Sequence, residues 1–338
     1  MEIKKAHLTE ALEFVKPGLA NRELIQQSTS FAFVGGSIVT YNDEISVKHP
    51  FTFGEKQLNG AIRADEFYTF LKKVKQDTIE LEIEGAEVKF KSGRIRAGFT
   101  MEGDIVLPIE QIGKRSDWCD IPPGFIDHLN KAMGATGRDI SRLILTAVNI
   151  TKEGALTGSD SYKIMHCVLE EELPVEGFLL PARSAVEIVK LQPKYISEGK
   201  GWIHFKSEND TEMSCRTLIG EEYPPLEGLL DFSGSEFKFP ETINELIDRA
   251  SAFYKRDHIL DESISITIAD NRVKVKARSE TGWMEEKANL RYNGDPIVFE
   301  ITPYLLKDIL NETQVFHLGD RMIKFEGEGW TYVARLRG

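Results

Sequence analysis

Three stretches of this chain repeat apolar residues with the period of a helix, each after a short strand-like run. They are "IRADEFYTFLKKV" (62–74), "LPARSAVEIVKLQ" (180–192) and "ITPYLLKDILNET" (301–313). Superposed, Ile62, Leu180 and Ile301 coincide. So do Phe67, Ala185 and Leu306, then Phe70, Ile188 and Ile309, then Leu71, Val189 and Leu310. Positions i, i+3 and i+4 make one stripe of an amphipathic helix. Upstream of each lies a second amphipathic segment, "HLTEALEFVK" (7–16), "PGFIDHLNKAM" (123–133) and "PETINELIDRASAF" (240–253), with Pro and Thr as start signals. Segments such as "TIELEIE", "EVKFKSGRIRAGF", "WIHFKSE", "EMSCRTLI", "SISITIAD" and "NRVKVKARS" alternate in character and turn at Gly, Asn or Asp, as strands do. Each third of the chain therefore predicts two helices and about eight short strands. The expected organisation is α+β, in three similar tandem domains over residues 1–115, 116–236 and 237–338.

With 338 residues the chain exceeds one ordinary core. Its net charge of −12 argues against blanket electrostatic binding of nucleic acid, though not against lysines gathered on one face. The start, "MEIKKAHLTEALEF", has no apolar signal core. Cys119, Cys167 and Cys215 form no CxxC, and their odd number fits a reducing cytoplasm, the expected location.

Catalytic motifs are scarce. The histidines form no HExxH, and "GATGRD" (134–139) lacks the phosphate-loop ending. His166 and Cys167 are adjacent on an expected strand, so their side chains point to opposite faces and form no dyad. Carboxylates abound, but no pair is singled out by spacing. The expectation is a binding or scaffolding protein without catalytic residues, metal or cofactor. The turn "GSDSYKIM" (158–165), between two strand-like runs, is rich in turn residues but also carries a tyrosine and a lysine, so it reads either as a hairpin turn or as a surface that holds a partner.

Several segments, in order, resemble the bacterial DNA polymerase III beta subunit, the sliding clamp. "RLILTAVNI" (142–150) followed by "SDSYKI" (159–164) resembles the middle domain's Arg-rich strand and its Thr-Asp-Ser/Gly-Tyr/His-Arg-Leu segment. "FLLPARSAVEIVKL" (178–191), "RTLIGEEYPPLEGLL" (216–230) and "KSGRIRAGF" (91–99) resemble further segments. Lys163 and Ile164 stand where the family has Arg and Leu, and the tail "YVARLRG" is shorter. The resemblance is thus to a divergent clamp, one that a phage or mobile element could encode.

The resemblance implies three DNA-clamp domains, each with two helices packed on antiparallel sheets, closing head-to-tail into a dimeric ring. Such a ring encircles duplex DNA and tethers a polymerase catalytic subunit and a clamp loader, with no membrane involved. It implies a partner-peptide pocket with an apolar slot of Leu145, Ile164, Pro224, Leu229, Val333 and Leu336. Polar or aromatic neighbours would be Arg142, Ser159, Asp160, Ser161, Tyr162, Lys163 and Tyr223. Lys16, Arg22, Lys72, Lys73, Lys75 and Lys131 would face DNA, with Arg138, Lys190, Lys194, Lys255 and Arg256. Arg96, Phe99 and Met101 would meet Phe253 and Tyr254 of a second copy. An alternative is a clamp-fold interaction adaptor without a replication role, which has no reason to keep the inner lysines.

Overall fold

The computed structural model describes residues 2–53, 58–112 and 115–337. Helix α1 (Lys5–Val15) buries Leu8, Ala11, Leu12 and Val15, one stripe at i, i+3, i+4 and i+7. Helix α2 (Ala64–Lys73) opens on Asp65 and Glu66 and closes on Lys72 and Lys73, the charge order that suits its dipole. Helix α3 spans Phe125–Gly134. Helix α4 (Ala182–Leu191) ends where Gln192 turns left-handed at φ 51°. A single turn, α5 (Glu227–Leu230), precedes α6 (Ile243–Tyr254).

The third repeat departs from the predicted single helix. It is a short α7 (Tyr304–Lys307) followed by a 3-10 turn at Ile309–Asn311. The last turn closes with Asn311 N–H on the Asp308 carbonyl, and the Gln314 side chain donates to the Leu310 carbonyl. Tightening costs little, because Leu305, Leu306, Ile309 and Leu310 are still all buried.

The described chain groups into two compact units. The first comprises residues up to 130, 150–154 and 171–221. Its strands form one sheet of twelve, from Glu2–Lys4 at one edge, through Thr78–Glu84, Glu87–Ser92 and Ile95–Glu102, to Cys119–Asp120 at the other. Strand Ile45–Pro50 pairs antiparallel with Glu212–Arg216, Val47 opposite Met213, so the sheet runs unbroken across residue 116. Alternation sets its faces: Ile79, Leu81, Val88 and Phe90 are buried while Glu80, Glu82 and Lys91 are exposed. Phe70 of α2 meets Phe90 and Phe99 edge-on at 4.9 and 5.3 Å. Burying the Phe90 ring, which is almost wholly covered, contributes about 2 kcal/mol.

Strand Ile95–Glu102 is open along most of one side. Residues 95–100 pair with Glu87–Ser92 on one side. On the other side, among the described residues, only Met101 and Glu102 pair, with Ile62 and Ala61.

The second unit comprises residues 131–149, 155–170 and 222–338. Seven of its strands pair in the order Ala147–Ile150, Ala155–Ser159, Lys163–Val168, Trp330–Arg335, Met322–Gly327, Val315–Leu318 and Ser235–Lys238. Four more form a separate sheet in the order Trp283–Asn289, Arg272–Arg278, Ile264–Ala269 and Ile297–Ile301, with α6 packed against one face. No described helix is long and apolar enough to cross a membrane.

Candidate functional site

The hairpin around "GSDSYKIM" lies within the second unit, and its turn is completed by its own side chains. Ser159 pairs with Ile164 at the mouth. Asp160 Oδ1 accepts from the backbone amides of Tyr162 and Lys163, both at 2.9 Å, an Asx turn. Ser159 Oγ donates to the Lys163 carbonyl at 2.8 Å. Ser161 sits at φ 79°, a left-handed position that costs a non-glycine residue about 1 kcal/mol. Gly158 has no substitute: a Cβ there would fall 1.9 Å from the Ala132 carbonyl oxygen at the end of α3. The stretch is a turn by its own chemistry.

It is also held from outside. Arg142 Nη1 donates to Ser161 Oγ at 2.8 Å. Tyr304 donates its phenol to Asp160 Oδ2 at 3.3 Å, and Arg335 N–H donates to the Tyr162 carbonyl. Lys163 turns inward, its Nζ donating to the Gly134 carbonyl at 3.0 Å and lying 5.4 Å from the centre of the Tyr304 ring. Burial and the nearby Asp160 carboxylate both hold the Tyr304 phenol well above its usual range. Lys163 is therefore a buried strut, not the rim donor expected.

The expected apolar slot divides. Ile164, Val333 and Leu336 expose only 6%, 2% and 7% of their surface, and Ile164 sits opposite Val333 in the sheet, so these three are core. Leu145 and Pro224 are half-buried, as is Tyr223, whose phenol burial pushes up. What faces solvent is Leu229 at 45%, Tyr162 at 38% and, unforeseen, Leu143 at 48%. Leu143 is presented because "RLIL" is not the expected strand. Residues Ile140–Thr146 form 3-10 turns kinked at Arg142, started by Asp139 accepting from the Ser141 amide at 2.9 Å.

Tyr304 was missed although a signal existed. In the repeat alignment it falls on Asp65 and Arg183, so an aromatic stands where the other two repeats carry charge.

The lysines expected to face DNA are mostly engaged. Lys72 pairs with Glu13, whose carboxyl that lysine hydrogen bond holds below its usual range. Lys131 pairs with Glu312 and lies 5.6 Å from the Trp330 ring centre. Lys190 pairs with Glu187 at 2.8 Å and Lys194 with Glu208 at 3.5 Å. Arg256 donates to the carbonyls of Phe253, Lys255 and Arg278, closing the end of α6. Lys16 lies 4.4 Å from the Tyr68 ring centre. Arg22, Lys73, Lys75, Arg138 and Lys255 are exposed.

Of the residues expected at a dimer contact, Arg96 is exposed and Phe99 half-buried against α2. Met101 is only 6% exposed, covering Gly60 in its own sheet. Phe253 and Tyr254 are half-buried at the end of α6. Cys167 is fully buried, which pushes its thiol up to about 12, while His166 Nδ1 meets Thr157 Oγ1 at 2.8 Å.

A hollow of about 1060 Å³ lies elsewhere, over strands Thr78–Glu84, Glu87–Ser92 and Ile95–Glu102. Two of its lysines are matched, Lys91 with Glu80 at 2.8 Å and Lys89 with Glu84, and its remaining charged residues are exposed, so it is a solvated sheet face.

Over its whole length the chain has the fold of bacterial DNA polymerase III beta subunits. The beta subunit from Pseudomonas aeruginosa matches with a TM-score of 0.85 at 17% identity, covering 100% of this chain and 99% of that one. A sliding clamp from Bartonella birtlesii bound to griselimycin matches with a TM-score of 0.89 at 15% identity, over 100% and 99%. The beta subunit from Thermotoga maritima gives 0.83 at 16%, over 100% and 98%. No family model and no curated protein matches the sequence.

Proposed function

We infer that the chain is a divergent sliding clamp: a non-catalytic ring of two copies, each of three domains, that encircles duplex DNA and tethers a polymerase. The observation that carries this reading is the likeness to beta subunits over the full chain at TM-scores of 0.83–0.89. The open edge at residues 95–100 supports closure of the ring, since such an edge invites pairing with another chain. Leu143, Tyr162 and Leu229, beside a turn pinned by Arg142 and Tyr304, would take an extended partner peptide with leucine or phenylalanine anchors.

Topology makes the test sharp. Protein assembled on circular DNA with a clamp loader should remain bound in high salt and escape once the circle is cut. Escape rates equal on circular and linear DNA would overturn the reading. Leu143→Asp with Leu229→Asp should weaken a leucine-bearing peptide at least tenfold while the mass in solution stays that of the parent. Ile164→Asp is the wrong probe, because it would charge the core.

The adaptor reading keeps one observation in its favour: Lys72, Lys131 and Lys190 already have carboxylate partners. A dimer that binds peptide yet never stays on circular DNA would favour it.

A further inference from the structure

The four-stranded sheet has two unlike faces. Ile264, Ile266, Ile268, Val273, Val275 and Ala277 point towards α6 and are buried. Arg249 of α6 reaches Glu286 on that side, its guanidinium nitrogens 2.7 and 2.8 Å from the carboxylate oxygens. Alternation sends the intervening residues of strand Arg272–Arg278 to the other face, and all of these are basic: Arg272, Lys274, Lys276 and Arg278. The neighbouring strand places Lys287 directly opposite Lys274 and Trp283 directly opposite Arg278. Trp283 exposes 64% of its surface.

Two carboxylates share this face with the five cations. Glu285 lies 3.5 Å from Lys274 and 3.7 Å from Lys287, and Glu300 sits on the far edge strand beyond Ser265. In a chain of net charge −12 this is a local excess of positive charge, and it has an indole at one end.

We propose that this open sheet face binds single-stranded nucleic acid. Side chains two residues apart on one face of a strand are about 6.6 Å apart, so the four basic residues form a row about 20 Å long. An extended, unstacked strand can lay successive phosphates along such a row. An exposed indole then offers a stacking surface to any unpaired base. A duplex keeps its bases stacked inside and gains nothing from that indole, so the aromatic residue selects for the single strand. The face is distinct from the partner-peptide surface, and its binding needs no ring, because a short linear oligonucleotide cannot be held by topology.

The test is fluorescence anisotropy of a labelled oligothymidylate with the full-length protein, titrated over salt. Contact with four or five phosphates should give a log–log salt slope of about −3. Lys274→Glu with Lys276→Glu should weaken binding at least tenfold and make the slope shallower by about 1.4. Trp283→Ala should weaken binding about tenfold and leave the slope alone. Lys152→Glu, at a surface pair with Glu176, should change nothing. The milder Lys274→Gln with Lys276→Gln should follow the Glu pair, which excludes misfolding as the cause.

Oligothymidylate binding indifferent to all these substitutions would overturn the proposal. So would a Trp283→Ala variant that changed the mass in solution but not oligonucleotide binding, since the face would then serve a second copy. Equal or tighter capture by phosphatidylserine vesicles or a polyglutamate peptide, lost in the same variants, would assign the face to a membrane or an acidic protein and would equally refute it.

Discussion

The lysines of the helices and those of the four-stranded sheet carry the same charge to different ends. On α2 and α4, Lys72 and Lys190 each have a carboxylate partner, Glu13 and Glu187. On the Arg272–Arg278 strand and its neighbour, five cations share Glu285 and Glu300. A net charge of −12 describes neither place. Exposed ion pairs contribute little to stability and cancel most of their field, whereas a row with more cations than carboxylates keeps a net potential that a phosphate chain can feel. Where a cation sits, and what answers it, decides what it does.

Lys163 is the extreme case, a buried cation answered by a carbonyl and a ring. Lys163→Glu would set a carboxylate against the Gly134 carbonyl, and urea unfolding should show a loss of about 4 kcal/mol. Lys163→Met leaves that carbonyl unpaired and should cost only about 1–2 kcal/mol. Equal losses would mean the charge itself is irrelevant there.

His204 extends the comparison to a buried group with no charged partner. It is 4% exposed, its Nδ1 meets Ser214 Oγ at 2.8 Å, and burial, aided by Arg115, depresses its pKa to about 4. The native state therefore resists protonation while an unfolded histidine titrates near 6.5. Stability should be full above pH 6.5, fall by up to about 3 kcal/mol as pH drops to about 4, and level off below that. Thermal melts across this window should show the slope, and His204→Gln should flatten it.

Lys131 lies between the extremes, with its side chain 22% exposed, paired with Glu312 and near the Trp330 ring. Lys131→Glu should destabilise by about 2 kcal/mol, because it sets two carboxylates together beside an aromatic face. Lys190→Ala, an exposed pair one helical turn from Glu187, should change stability by no more than about 0.3 kcal/mol. A larger loss at Lys190 than at Lys131 would undo the ranking by burial.

Much of the architecture was legible because local rules and the fold agree. The stripe Leu8, Ala11, Leu12 and Val15 made α1 visible, and alternation in "TIELEIE" and "NRVKVKARS" made those strands visible. The site was less legible. "RLIL" looked like a strand, since its apolar residues are adjacent, but Asp139 turns the chain into a 3-10 path that brings Leu143 to the surface. Ile164, Val333 and Leu336 looked like a slot for a partner, yet Ile164 faces Val333 across the sheet and all three are buried.

Periodicity and turn chemistry, which act over a few residues, thus lay within reach of the sequence alone. They determined the apolar stripe of α1, the alternating strands "TIELEIE" and "NRVKVKARS" and the turn at "GSDSYKIM". Pairing between distant residues did not. That Lys163 points in to Gly134 and Tyr304, that Glu13 answers Lys72 across 59 residues, and that α6 covers one face of a sheet and leaves the basic one open were decided by tertiary structure. The reason is physical: desolvation and ion pairing depend on which surfaces meet. A chain's local pattern states only which residues prefer to be covered, not by what.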